Sequence, residues 1–236
     1  MVPDVARVAA IDDALTARSV EGRLIRALAF GRAFEPSLAA PGTVLVHGGI
    51  HGDEPGAAAA VEELAARLAR RPPIGRIVVV PAANPDGLAA GTKDNARGVD
   101  LNRNFPSRSY LPNVPGAFRS GYDPGASPLC EPESAFLARL VERERPACLV
   151  AVHQPFACVN YDGPARALAE RISAACGWPV REDLGYPTPG SFGACYGVDR
   201  GLPVITLELP RVLSAADADA ALAALACACG LAPFSP

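Results

Sequence analysis

The chain has 236 residues, half of them apolar, and a formal net charge of −3 at neutral pH. That length and apolar content suit one sizeable core that needs no disulfide or metal staple. The interspersed charges argue against nucleic acid or an anionic membrane as partner, and no apolar run approaches the roughly 18–20 residues that span a bilayer.

The N-terminal stretch to Ser19 carries Asp4, Asp12 and Asp13 and no uninterrupted apolar segment, so no secretory leader is expected. Seven scattered cysteines without a CxxC read as reduced, small apolar residues of a cytoplasmic protein rather than a disulfide frame.

In chain order, LIRALAF (24–30) and TVLVHGG (43–49) read as strands, with Pro41-Gly42 as the break between them. A helix is expected over 55–71, with Pro55 in its first turn, Glu54 at its anion-favouring start and Arg70 and Arg71 at its end. IVVVPAAN (77–84) is a β-branched strand stopped by Pro85-Asp86-Gly87. From Gly87 to Glu131 the sequence is irregular, and a stretch this long in a compact domain is usually functional or disordered.

Helix returns over 132–145, strand over 148–154, helix over 163–176 and strand over 204–210. A last helix runs over 214–230, capped by Ser214 and stopped by Gly230. This alternation predicts a single α/β domain over 1–236. Its form should be a three-layer sandwich, with a mixed, mostly parallel twisted sheet between helices. In such sheets ligands sit where strands end and loops begin.

Three of those loops carry donors. His51 and Glu54 follow the second strand, His153 ends the fourth and Glu208 lies near the end of the last. Two imidazoles and one carboxylate make a His₂Glu set that suits catalytic zinc, the fourth position being left to water. HxxE alone is a common tetrapeptide, and each histidine could be an ordinary loop or core residue. The economy of the chain favours the metal reading, because it has only three histidines in all. His47, the third, is read as structural or as a support behind the ligands, since a fourth protein ligand would close the site. Glu208 lies in the apolar run TLEL, where a charge is costly unless used.

The ordered series GIHGDE (49–54), NPDG (84–87), GVDLNRNFP (98–106), EPE (131–133), VHQ (152–154) and TLELP (206–210) resembles the zinc carboxypeptidase family. The likeness runs from about Arg18 to Pro210, and GVDLNRNFP is its most specific part. It implies a zinc-dependent hydrolase with His51, Glu54 and His153 as metal ligands and Glu208 as general base and acid. Asn102 and Arg103 would grip the free carboxylate of the residue to be released, and Tyr186 would close over the substrate. The position usually held by a carbonyl-polarising arginine is Lys93, in TKDNARG, with Arg97 in the same loop as the alternative donor.

GYPTPGSFG (185–193) and ACVN (157–160) resemble, within the family, the amidases that cut cell-wall tripeptides. The substrate this implies is a small peptide with a free carboxylate, L-Ala-γ-D-Glu-meso-diaminopimelate, degraded in cell-wall recycling. The rival expectations are a carboxypeptidase of broader specificity, a zinc deacylase of the aspartoacylase or succinylglutamate desuccinylase sort, and a non-catalytic module that binds peptidoglycan fragments.

Overall fold

The apolar runs that lack an alternating pattern become the centre of one sheet, because both of their faces are covered. A computed structural model describes residues 15–32, 42–112 and 122–234. The readings of the first fourteen residues and of Pro41 lie outside these. Nine strands are described: β1 (Thr16–Arg18), β2 (Leu24–Arg26), β3 (Leu28–Phe30), β4 (Val44–His47), β5 (Ile77–Val80), β6 (Cys148–His153), β7 (Phe156–Asp162), β8 (Val180–Arg181) and β9 (Val204–Pro210). Five α-helices accompany them: α1 (Pro55–Arg70), α2 (Pro85–Ala90), α3 (Pro132–Glu144), α4 (Arg166–Cys176) and α5 (Ala215–Ala228).

Seven strands form a sheet in the order β3-β5-β4-β6-β9-β7-β8, and β1 and β2 form a separate ribbon. The β5–β4, β4–β6, β6–β9 and β7–β8 pairings are parallel, whereas β3–β5 and β7–β9 are antiparallel. Alternate side chains divide between two cores. Val46, Val79, Val150 and Leu207 pack under α1, α4 and α5, and Leu45, Val78 and Leu149 pack under α3. The sheet is therefore the middle layer of a mixed α/β sandwich, as its sequence pattern predicts. No helix among the described residues is long and apolar enough to cross a membrane.

Three expectations are corrected. The run 24–30 is not one strand: Ala27 donates its backbone N–H to Leu15, so the chain leaves the ribbon at β2 and joins the main sheet at β3. Pro85-Asp86-Gly87 does not merely stop β5 but opens α2. Asn84 caps that helix by accepting from Gly87 N, and Pro85 occupies its first turn. Between VHQ and the helix now bounded as α4, β7 adds an antiparallel strand against β9 that the sequence reading did not foresee. The Ser214 cap of α5 is present as a capping box, and Gly230 follows the helix with φ +65°.

Asp86 ties the β1–β2 ribbon to the body of the protein. Its carboxylate accepts from Ser19 Oγ at 2.7 Å, Glu21 N at 2.9 Å and Arg23 Nη1 at 2.8 Å. Burial pushes the carboxyl pKa up, but these donors outweigh it and hold the group below the usual aspartate range. A depressed carboxylate stabilises the fold above its unfolded pKa and loses that contribution as pH falls through the folded value. Asp86→Asn should therefore lower the unfolding free energy at pH 7 by about 1–3 kcal/mol. In denaturant titrations the gap between variant and parent should narrow below about pH 4. A gap that stays constant from pH 7 to pH 3 would show that the ionised carboxylate is not what holds the ribbon.

Candidate metal centre and active site

Because β5, β4, β6 and β9 run parallel, their C-terminal ends open on one edge of the sheet, and the loops beyond them converge there. β4 leads through Gly48 and Gly49 to His51. Glu54 is the residue before Pro55, at the N-terminal end of α1, where the helix dipole favours a negative charge. The Glu54 carboxylate does not cap its own helix. One oxygen lies 2.9 Å from His51 Nδ1, and the other lies 3.0 Å from His153 Nδ1 and accepts from Gln154 N at 3.2 Å.

The two imidazole rings are 5.0 Å apart between centroids. One donor atom from each of His51, Glu54 and His153 falls within 4.8 Å of the others. The three side chains thus fit a metal ion by donor chemistry and by convergence, in the His₂Glu set that catalytic zinc uses. The far nitrogen of His51 is 3.1 Å from Asp100 Oδ1, the carboxylate contact that fixes tautomer and ring orientation in histidine ligands.

Electrostatics point the same way. Burial pulls the His51 pKa down, yet Asp100 and Glu54 outweigh it and push the value up to about 9. Burial pushes Glu54 up, yet His153 and His51 outweigh it and bring the carboxyl down to about 2. This environment favours positive charge, which a dication satisfies. His47 is the opposite case: burial, then His153 and His51, lower it to about 3, and neither ring nitrogen has a hydrogen-bond partner among the described residues. Its ring packs at 4.7 Å edge-on to Phe192 and stands outside the donor trio.

Glu208 stands on β9 opposite His153 on β6 and Cys158 on β7. It is buried, and its Oε2 has no hydrogen-bond partner among the described residues. Burial, partly opposed by His153, raises its pKa above the usual range. It lines a cavity of about 560 Å³ together with His51, Glu54, His153, Asn102 and Arg103.

Asn102 and Arg103 lie in a short 3-10 turn, Leu101–Arg103, whose start is pinned by Asp100 accepting from Asn102 N at 2.9 Å. Asn102 Oδ1 accepts from Phe192 N at 2.9 Å, and Phe105 N donates to Gly190 O at 2.9 Å. Gly190 has φ +70°, and a Cβ there would lie 2.2 Å from Arg103 O, so the GYPTPGSFG loop can pack on the Arg103 backbone only with glycine at that point. Arg103 is buried, with its guanidinium carbon 5.7 Å from the Tyr122 ring centroid.

The two cations of the TKDNARG loop are separated by the fold. Lys93 lines the cavity, pairs with Asp100 Oδ2 and lies 4.4 Å from the centre of the Tyr122 ring. Arg97 does not line it; its guanidinium reaches Glu131 at 3.3 Å. Tyr186 lines the cavity, 39% exposed, with burial and then Glu208 pushing its pKa up to about 12.

Two residues that position the site escaped the sequence reading. Asp100 contacts His51, Lys93 and Asn102 at once; its signal was a charge between the apolar Val99 and Leu101. Gln154 accepts from Gly56 N at 2.9 Å and donates to Pro210 O at 2.8 Å, stitching the start of α1 to the end of β9.

Comparison with known proteins agrees with this architecture. The zinc carboxypeptidase family model matches residues 3–173. Murein peptide amidase A of Escherichia coli K12 is 36% identical over 182 residues, 72% of each chain, and that of Vibrio campbellii is 35% identical over 181 residues, 71% of this chain and 69% of its own. The crystal structure of murein-tripeptide amidase from Escherichia coli O157 superposes with a TM-score of 0.69 at 30% identity, covering 93% of this chain and 90% of that one. An aspartoacylase family protein of Mesorhizobium loti, at 19% identity and a TM-score of 0.61, covers 92% of this chain and 66% of its own and shares the fold alone. With that family match, and with the ordered signatures gathered around one metal-binding trio, this chain belongs to the zinc carboxypeptidase family and is a zinc metallohydrolase.

Proposed function

We propose that the chain hydrolyses the amide between the γ-carboxyl of D-glutamate and meso-diaminopimelate in L-Ala-γ-D-Glu-meso-diaminopimelate. The observation that carries this reading is one cavity lined by the His51, Glu54 and His153 trio, the buried Glu208 and the Asn102–Arg103 pair. The identity to murein peptide amidases over most of the chain supports the choice of substrate. All seven cysteines are free thiols, which suits a reducing compartment and supports a cytoplasmic place in cell-wall recycling.

His51, Glu54 and His153 would hold the zinc, which would supply a Lewis acid and lower the pKa of water toward neutrality. Arg103 and Asn102 grip the α-carboxylate of the residue to be released, by charge-assisted hydrogen bonds. That grip sets the register, so only a bond one residue from a free carboxylate is presented to the catalytic groups. Glu208 takes a proton from the attacking water and returns it to the leaving amine. Its burial and unsatisfied oxygen suit it to that transfer, work typically worth about 10²–10⁴-fold. Lys93, which alone of the two loop cations faces the cavity, supplies positive charge toward the developing oxyanion. Tyr186, at the rim, covers the bound peptide.

The test is direct. Zinc-loaded protein is incubated with L-Ala-γ-D-Glu-meso-diaminopimelate and with an all-L tripeptide, and the released amino acid is measured. Release from the first supports the proposal, whereas release from the all-L peptide alone would make the chain a general metallocarboxypeptidase. Glu208→Gln should keep its zinc by metal analysis and lose turnover by about 10²–10⁴-fold; unchanged turnover would remove Glu208 from the chemistry. Arg103→Lys, which keeps charge but loses the planar fork, should raise KM by about tenfold. An unaltered KM would count against the carboxylate grip.

A further inference from the structure

Tyr122 lines the cavity, yet the proposed chemistry gives it no part. It is 41% exposed, so its ring is a wall of the cavity and belongs to neither core. Lys93 Nζ lies 4.4 Å from the ring centroid, and the Arg103 guanidinium carbon lies 5.7 Å from it. Both fall within the ~6 Å over which a cation is drawn to an aromatic face.

The same two cations also share one carboxylate oxygen. Lys93 pairs with Asp100 Oδ2, and Arg103 Nε is 4.0 Å from that atom. The other oxygen of Asp100 already faces His51. Two like charges drawn to a single oxygen repel each other, so a second attraction is needed to keep them together. The ring supplies it. An acid in its place would pair with the cations and compete with the anionic groups of a substrate. An aromatic quadrupole holds a cation without neutralising it.

The segment that carries the ring is fastened to the turn that carries Arg103. Asp123 O accepts from Asp100 N at 2.8 Å, and Asp123 Oδ1 accepts from Gly125 N at 2.8 Å. Asn104 Nδ2 donates to Pro124 O at 2.7 Å and to Ser127 O at 2.9 Å. Residues just after Tyr122 are thus bonded on both sides of Leu101–Arg103, and the ring is mounted on the same piece of backbone as the cation it faces.

We propose that Tyr122 is a positioning residue whose ring face holds Lys93 and Arg103 side by side, directed into the cavity. Its effect on catalysis rests on the reading that Arg103 grips the substrate's free carboxylate and Lys93 faces the oxyanion. Tyr122 acts through these two side chains and needs no contact with substrate of its own.

Lys93 is the only lysine of the chain, so the contact has a readout that needs no turnover. In zinc-loaded enzyme isotopically labelled at lysine Cε, the single methylene signal should lie upfield of free lysine, because an aromatic face shields groups above it. The signal should move to the free-lysine position in Tyr122→Leu and stay upfield in Tyr122→Phe. On L-Ala-γ-D-Glu-meso-diaminopimelate, Tyr122→Leu should lower kcat/KM by about 3- to 30-fold, the range expected of lost cation–ring contacts. Tyr122→Phe, which keeps the ring, should recover all but about threefold. A parent signal at the free-lysine position overturns the role of Tyr122. So does an unaltered kcat/KM in the leucine variant, or a phenylalanine variant as impaired as the leucine one. If the parent cuts no γ-D-glutamyl peptide, the proposed substrate fails, and the Lys93 signal in the three proteins decides by itself whether Tyr122 holds that cation.

Discussion

One carboxylate holds the site together. Glu54 lies at the N-terminal end of α1 and reaches an imidazole from its own loop and another from β6, 99 residues away. That contact is possible because β4 and β6 are parallel neighbours whose C-terminal ends open on the same edge, with α1 starting above them. Desolvation works against the charges of His51 and Glu54, so the arrangement depends on mutual pairing within the trio and on Asp100 behind His51. A dication fits because the surroundings hold more carboxylate than two neutral imidazoles can answer.

Asp100 extends this constraint to the neighbouring cavity wall. The same carboxylate that faces His51 through one oxygen pairs with Lys93 through the other, and it pins the turn that presents Asn102 and Arg103. His51, Lys93 and the Asn102–Arg103 turn are thereby fixed relative to one another by a single buried side chain. The loop bearing Gly190 then packs on the Arg103 backbone, so the far wall of the cavity is set by that same turn.

The cavity is consequently polarised. Positive groups of the 93–103 segment lie at the metal edge, and the β7–β9 ladder carries Glu208 at the centre and Asp162 at its end.

The sequence by itself determined the elements with a strong local signal. The β-branched runs at 77–80, 148–153 and 204–210, the helices α1, α3 and α5 with their Pro and Ser starts, and the ordered motifs were all legible, because hydrophobic periodicity, capping and motif spacing are local properties. The same patterns gave the donor set His51, Glu54, His153 and Glu208, since carboxylates and scarce histidines at strand ends stand out against an apolar background. What only the tertiary structure decided concerns residues brought together across long chain separations. It split the run 24–30 between two sheets and added β7, whose mixed polar pattern carries meaning only beside β9. It also chose Lys93 over Arg97 for the cavity. The physical reason is the same in each case: pairing partners, burial and the direction a side chain faces are fixed by packing against distant segments, and no window of neighbouring residues contains that information.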